Sequence, residues 1–383
     1  MSILSDNLLL CGVLLGLLPG AAAAADPEQY DRNWPQWRGP AGDGLVLHGD
    51  PPLRWGEGMN VKWKVAIPGL GHSTPIIWGH RVFVLTAVPI PDGGKRLAFT
   101  VMCLDRRTGQ TLWAKTARED EPHQDIQPTN SHSSGSPVTD GEHVIVSFGS
   151  FGLYCYDLDG NLIWEKDLGK AKVTWGEGSS PALVGDAVIV VRDTDDTSCL
   201  YAFDKRTGQE LWKKPRDEKS SWTTPFVLKR DGKSQVIVNG ANAVRSYDPQ
   251  TGDVLWQCSG LGVNVTPMVV TDQNTVYAVS GQRSTPAAIA IRLGGSGDLT
   301  GTNAVLWKLN RGTPYVASPL LYDGLLYLFQ HVTPVLTCVD AATGKPLYAQ
   351  ERLLGLGNVY ASPIGVNDRV YVTGLDGMTL VLE

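Results

Sequence analysis

Short apolar runs recur along this chain at a nearly constant interval, each followed by a turn signal and a second patterned segment. They start at 82–85, 144–147, 188–191, 236–239, 276–279, 326–329 and 370–373. A Ser/Thr-Pro step precedes each run, with the hydroxyl at Thr74, Ser136, Ser180, Thr224, Thr266, Ser318 and Ser362. The prolines follow one another at intervals of 42 to 62 residues, and 44 recurs three times. Runs this short, bounded by turn residues and free of any long helical period, predict strands.

A second pattern locks onto the first. Asp204-Lys-Arg-Thr-Gly208 ends one apolar segment and Trp212 lies in the next. An aspartate at this place accepts bonds from amides ahead of it, and the glycine supplies the positive φ that closes the turn. The same phrase returns as Asp105…Gly109…Trp113, Asp248…Gly252…Trp256 and Asp340…Gly344…Tyr348, and one residue shorter as Asp157…Gly160…Trp164. About 44 residues holding four strands is the period of a propeller blade. The predicted fold is all-β: a seven-bladed β-propeller of four-stranded antiparallel blades, with eight blades as the alternative. The last Ser-Pro opening never reaches its own tryptophan strand, whereas 61–65 (Val-Lys-Trp-Lys-Val) precedes every opening. That N-terminal strand is therefore expected to pair with 379–383 and close the ring, removing its open edges. In the fifth unit Arg292 replaces the turn aspartate, and a Gly/Ser/Thr-rich excursion fills 294–302. Further excursions occupy 87–97 and 117–133; long loops are where function concentrates.

Composition adds limits. Lys+Arg 33 against Asp+Glu 39 makes the chain mildly acidic, so no nucleic-acid partner is expected. Residues 1–25 read as a signal peptide, with an apolar core at 8–18 and a run of alanines before Asp26. Cleavage is expected near Ala25, giving a periplasmic or secreted monomer that is not an integral membrane protein. Residues 26–60 form an N-terminal strap containing Asn-Trp-Pro-Gln-Trp-Arg-Gly-Pro at 33–40, docked by Trp34 and Trp37; the propeller covers 61–383. Cys103, Cys155 and Cys338 hold a slot that also takes Ala202 and Ser246. A slot selecting for small size implies buried thiols rather than ligands or disulfides.

The run Ala202 to Trp212 resembles the repeat of the pyrroloquinoline-quinone (PQQ) β-propeller superfamily, and the resemblance covers about 61–383. That superfamily includes quinoprotein alcohol dehydrogenases and non-catalytic members such as BamB, the propeller of the outer-membrane β-barrel assembly machinery. The resemblance implies tryptophans packed between neighbouring blades, here Trp113, Trp164, Trp212, Trp256 and Trp307. The opening at 33–40 is also similar to exported bacterial PQQ-like repeat proteins. Quinoprotein dehydrogenases use adjacent cysteines, a calcium held by Glu, Asn and Asp, and a catalytic Asp; this chain has no adjacent cysteines and no such set that can be carried over.

Comparing the units separates scaffold from candidate site. The hydroxyl before each opening proline marks a geometric demand, expected to be the satisfaction of backbone groups near the hub. Three residues before the proline the chain varies: His72, Ser134, Gly178, Trp222, Asn264, Val316 and Tyr360. His72, Trp222, Asn264 and Tyr360, with the neighbours His132, Trp175, Glu177 and Tyr315, are the candidate ligand-binding residues of a channel mouth. No catalytic or metal-binding set is expected; Asp193-Thr-Asp-Asp196 reads as a solvated hairpin turn rather than a calcium loop. The expected function is an exported non-catalytic scaffold for protein interaction or envelope assembly, with envelope proteins as partners and no cofactor. A quinoprotein-like oxidoreductase with an atypical PQQ site in the channel is the alternative, and carbohydrate binding the third reading.

Overall fold

The computed structural model describes residues 27–91, 94–282 and 284–383. The expected leader at 1–25 lies outside them. Among the described residues the chain is all-β apart from one helical turn at Pro27–Asp31 and one 3-10 turn at Gly149–Phe151. Its described strands form seven sheets, spanning 76–120, 138–166, 182–216, 226–258, 270–309, 320–352 and 364–382. Within each, strands pair antiparallel in chain order, except that Gly297–Asp298 crosses from the fifth segment to join the fourth sheet in parallel. The apolar runs found in the sequence fall on the second strands, such as Ala187–Arg192 and Leu325–Phe329. This order places the second-to-third and sheet-to-sheet connections at one end, called here the loop face. The first-to-second and third-to-fourth turns lie at the other, the turn face.

The repeated turn does what its residues require. The Asp204 Oδ1 accepts from the amides of Arg206 (3.0 Å) and Thr207 (2.9 Å) and from the Thr207 hydroxyl (3.0 Å). Gly208 has φ +68° and packs so closely under Trp164, from the preceding sheet, that an added Cβ would lie 2.7 Å from the indole. The Trp164 Nε1 donates to the Lys205 carbonyl at 2.8 Å. Trp113, Trp212 and Trp307 donate in the same way to Leu158, Pro249 and Ala341. Each indole thus spends its apolar faces on one neighbour and its one donor on that neighbour's turn, which fixes the order of the sheets.

Sheet five breaks the pattern, and its excursion compensates. Gly297–Asp298 runs back to sheet four as a fifth strand, parallel to Val254–Cys258, with Trp256 opposite Gly297. Trp256 is 2% exposed and shares a core with Leu299 of the same excursion. The insertion substitutes for the missing aspartate turn.

The Ser/Thr positions form a relay around the hub, as expected of them. The Thr74 amide donates to Ser136 Oγ (2.9 Å), the Ser136 amide to Ser180 Oγ (2.8 Å) and the Ser180 amide to Thr224 Oγ1 (3.0 Å). On the far side Met268 donates to Ser318 Oγ (3.0 Å) and Ser318 to Ser362 Oγ (2.9 Å). A buried amide left unpaired costs about 1–3 kcal/mol, so a hydroxyl is required at each crossing.

Six apolar cores join sheet to sheet, from one through seven. The seam between seven and one is different, and it corrects one expectation. Residues 60–68 form no strand, and Thr379–Leu382 has a single neighbour, Arg369–Thr373. Trp63 nonetheless holds the place expected of it on sheet one, donating to the Arg106 carbonyl at 2.9 Å with Gly109 under its ring. Asp50 pairs with Arg369 at 3.0 Å, the Pro51 carbonyl accepts from the Tyr371 hydroxyl at 3.0 Å, and Trp55 stacks on Tyr371. The strap lies over the face of sheet seven, and Trp55, Met59, Val61 and Val65 stay exposed along the seam.

Candidate functional site

The hub is the first place to look for a site, and it is filled. The strap crosses it and touches every sheet in turn. Asn33 Oδ1 accepts from the Gly79 amide and Trp34 bridges to Ile77 on sheet one; the Pro35 carbonyl accepts from Thr139 on sheet two. Gln36, Trp37, Ala41 and Gly42 pack against Pro181, Phe226 and Met268 of sheets three to five. Arg38 donates to the Pro319 carbonyl at 2.8 Å on sheet six, and Gly44 and Val46 bracket Gly365 on sheet seven. Arg38 is 3% exposed, and burial pulls its guanidinium down to about 10 against the opposing pull of Asp43. The tryptophan-rich strap therefore does dock as its residues suggested, and it replaces the open channel that the sequence reading assumed. Among the described residues no cluster of three His, Cys, Asp or Glu is placed to hold a metal ion. All five described cysteines are free and buried, and burial pushes the Cys103 thiol up to about 12.

The candidate residues divide into two groups on the loop face. His132, Trp175, Glu177 and Trp222 gather over sheets two to four. The 117–133 excursion folds across and clamps the 168–178 loop. Gln124 Nε2 donates to the Val173 carbonyl (3.0 Å) while its Oε1 accepts from the Val173 amide (3.2 Å). Asn130 Nδ2 donates to the Trp175 carbonyl at 2.8 Å. Trp222 Nε1 donates to the Gly176 carbonyl, and its amide to Val265, beside Asn264. Asn264 sits at φ +56°. The second group is Tyr315 and Tyr360 near sheets six and seven. Tyr315 stacks on His331 with ring centres 5.1 Å apart, and burial, then Tyr360, raises its phenol. His72 is exposed at the edge of sheet one, its amide bonded to the Ser133 carbonyl.

Under the clamp lies a cavity of about 40 Å³. Glu177 Oε1 accepts from the Ser150 amide (2.7 Å) and hydroxyl (2.6 Å), and its Oε2 faces Arg192 Nε at 3.7 Å. Burial, followed by His123, lowers His132. Behind the cavity stands a charge pair that the sequence reading missed. Asp193 and Arg216 are both 0% exposed and joined by two bonds, 2.7 and 3.1 Å. Ser221 Oγ donates to Asp193 (2.6 Å), while Arg216 also donates to the Tyr247 hydroxyl (2.6 Å) and the Asn239 carbonyl (3.2 Å). Burial works against the Arg216 charge, but Asp193 outweighs it and raises the guanidinium. Asp193 is thus no solvated turn residue: its loop folds inward because Arg216 follows Trp212 by four places, on the inward side of the strand.

Residues 97–300 match the family described as outer membrane protein assembly factor BamB. Over 205 residues the chain is 27% identical to the outer membrane protein assembly factor BamB of Burkholderia pseudomallei (strain K96243), covering 51% of this chain and 46% of that protein. The match spans about half the length of this curated relative. The crystal structure of BamB from Moraxella catarrhalis superposes with a TM-score of 0.52 at 17% identity, covering 78% of this chain and 82% of that one. A likeness at this level shows a shared β-propeller fold. A europium-containing methanol dehydrogenase aligns over 93% of this chain at 12% identity, with a TM-score of 0.47.

Proposed function

This chain belongs to the family of the outer membrane protein assembly factor BamB, and from that premise we propose that it is an exported propeller scaffold for envelope protein assembly. In this reading residues 61–383 form a seven-bladed ring, anchored by a strap at 26–60 after removal of a leader near Ala25. Its partners are envelope proteins, and it works as a monomer without a resident cofactor. The observation that carries it is the use of the repeat residues. Turn aspartates, glycines, tryptophans and hub hydroxyls are all spent on holding one sheet to the next. With the hub filled as well, the variable residues left for function lie on the loop face, chiefly over sheets two to four.

The family's description as an outer membrane protein assembly factor suggests the partner class: outer-membrane proteins under assembly, and the proteins that assemble them. No helix among the described residues is long and apolar enough to cross a membrane, and the proposed scaffold acts from the periplasmic side. The test is removal of the chain from its native host. The expected result is a fall in the abundance of outer-membrane β-barrel proteins, restored by the intact chain. Unchanged barrel protein levels, together with PQQ- and calcium-dependent dye reduction by the purified chain, would replace this reading with the oxidoreductase one.

A further inference from the structure

The cavity beneath the 117–133 clamp holds polar atoms that nothing in the fold satisfies. His123 Nδ1 and Arg192 Nε are buried without a hydrogen-bond partner, and both residues line the cavity. His123 Nε2 lies 2.9 Å from the Ala171 carbonyl. A carbonyl only accepts, so that nitrogen carries a proton, and in the neutral tautomer Nδ1 is left as an acceptor. The Arg192 side chain is 10% exposed; its terminal nitrogens are held by the Leu168 and Gly169 carbonyls and the Ser150 hydroxyl. Nε–H is left over as a donor. Glu177 Oε2, 3.7 Å away, is beyond hydrogen-bond distance of it.

The unmet demand is therefore one donor and one acceptor in about 40 Å³, room for about three water-sized groups. Charge narrows the occupant. Glu177 opposes an anion and Arg192 opposes a cation, while the two together leave the cavity balanced. Each hydroxyl of a neutral ligand both donates and accepts, so two adjacent hydroxyls answer Arg192, His123 and Glu177 at once. Gly176 of the lining follows Trp175, which is 44% exposed. An exposed indole is suited to the apolar face of a pyranose ring.

We infer that this cavity is a saccharide-end site, taking the vicinal hydroxyls of a terminal sugar while Trp175 covers the ring outside. It is independent of the scaffold reading, and a partner found or missed in the host does not bear on it. The test is calorimetric titration of the full chain with the methyl glycosides of glucose, galactose, mannose and N-acetylglucosamine. At least one is expected to bind, and to lose at least about tenfold in affinity in Trp175→Ala and in His123→Phe. Trp175 is exposed, so its replacement leaves the fold intact if His123→Phe does not. The deoxy analogue of the bound sugar, lacking one of the paired hydroxyls, is expected to weaken equally. Failure of all four glycosides to bind overturns the proposal. Binding unchanged in Trp175→Ala, or an equally tight deoxy analogue, overturns it as well.

Discussion

Asp193→Ala is expected to destabilise the chain by about 3–5 kcal/mol, read as a lowered denaturation midpoint in urea. The reason is the charge left behind. Arg216 would remain 0% exposed with only the Tyr247 hydroxyl and the Asn239 carbonyl as partners. Joint replacement by Asp193→Leu and Arg216→Met is expected to be much milder, because apolar groups of similar volume remove both desolvation costs together. Local consequences should follow as well. Ser221, which donates to Asp193, precedes Trp222, so the single substitution is expected to loosen the loop face before the sheets separate. A single variant within about 1 kcal/mol of the parent, or a double variant as damaged as the single, would contradict the pairing.

Arg38→Ala is the second large effect. It removes bonds to the Gly42, Asp43 and Pro319 carbonyls at the centre of the hub. Hydrogen bonds from a charged donor contribute about 1.5–3 kcal/mol each, so a loss of at least about 3 kcal/mol is expected. Arg38→Lys should recover little of it, since an ammonium cannot reproduce the planar fork that reaches three carbonyls. Limited proteolysis gives the clearer readout: cleavage within 33–46, slow in the parent, is expected to become the first cut. Sheets that melt while the strap stays protected would place the strap outside the hub.

Much of this architecture was legible because it is repeated. Asp204, Gly208 and Trp212 state a turn and a docking contact that recur with their spacing intact, and the hydroxyls from Thr74 to Ser362 mark the hub without any structure. Trp34 and Trp37 announced a docked strap. What the sequence did not show was where the strap goes, because contacts between Arg38 and Pro319 depend on how seven sheets surround an axis. The closing strand failed for a related reason. The alternation in 61–65 is that of a strand, yet its tryptophan contact to Gly109 forms without the ladder, while Asp50 to Trp55 cover sheet seven. The site was partly legible: His132 and Glu177 line one cavity, and Trp222 bonds to Gly176 of the same lining. Their neighbour His123 comes from an excursion outside the repeat and Arg192 from the end of a second strand, positions that the comparison between units passed over.

The account rests on the loop face being the working surface of a propeller whose other parts are structural. Photocrosslinking in the native host, with a photoreactive aromatic residue at position 175 or at position 107 in the turn face, tests this most directly. Discrete adducts to envelope proteins from position 175, and none from 107, are the expected result. Adducts from 107 alone, or from neither position, would contradict it.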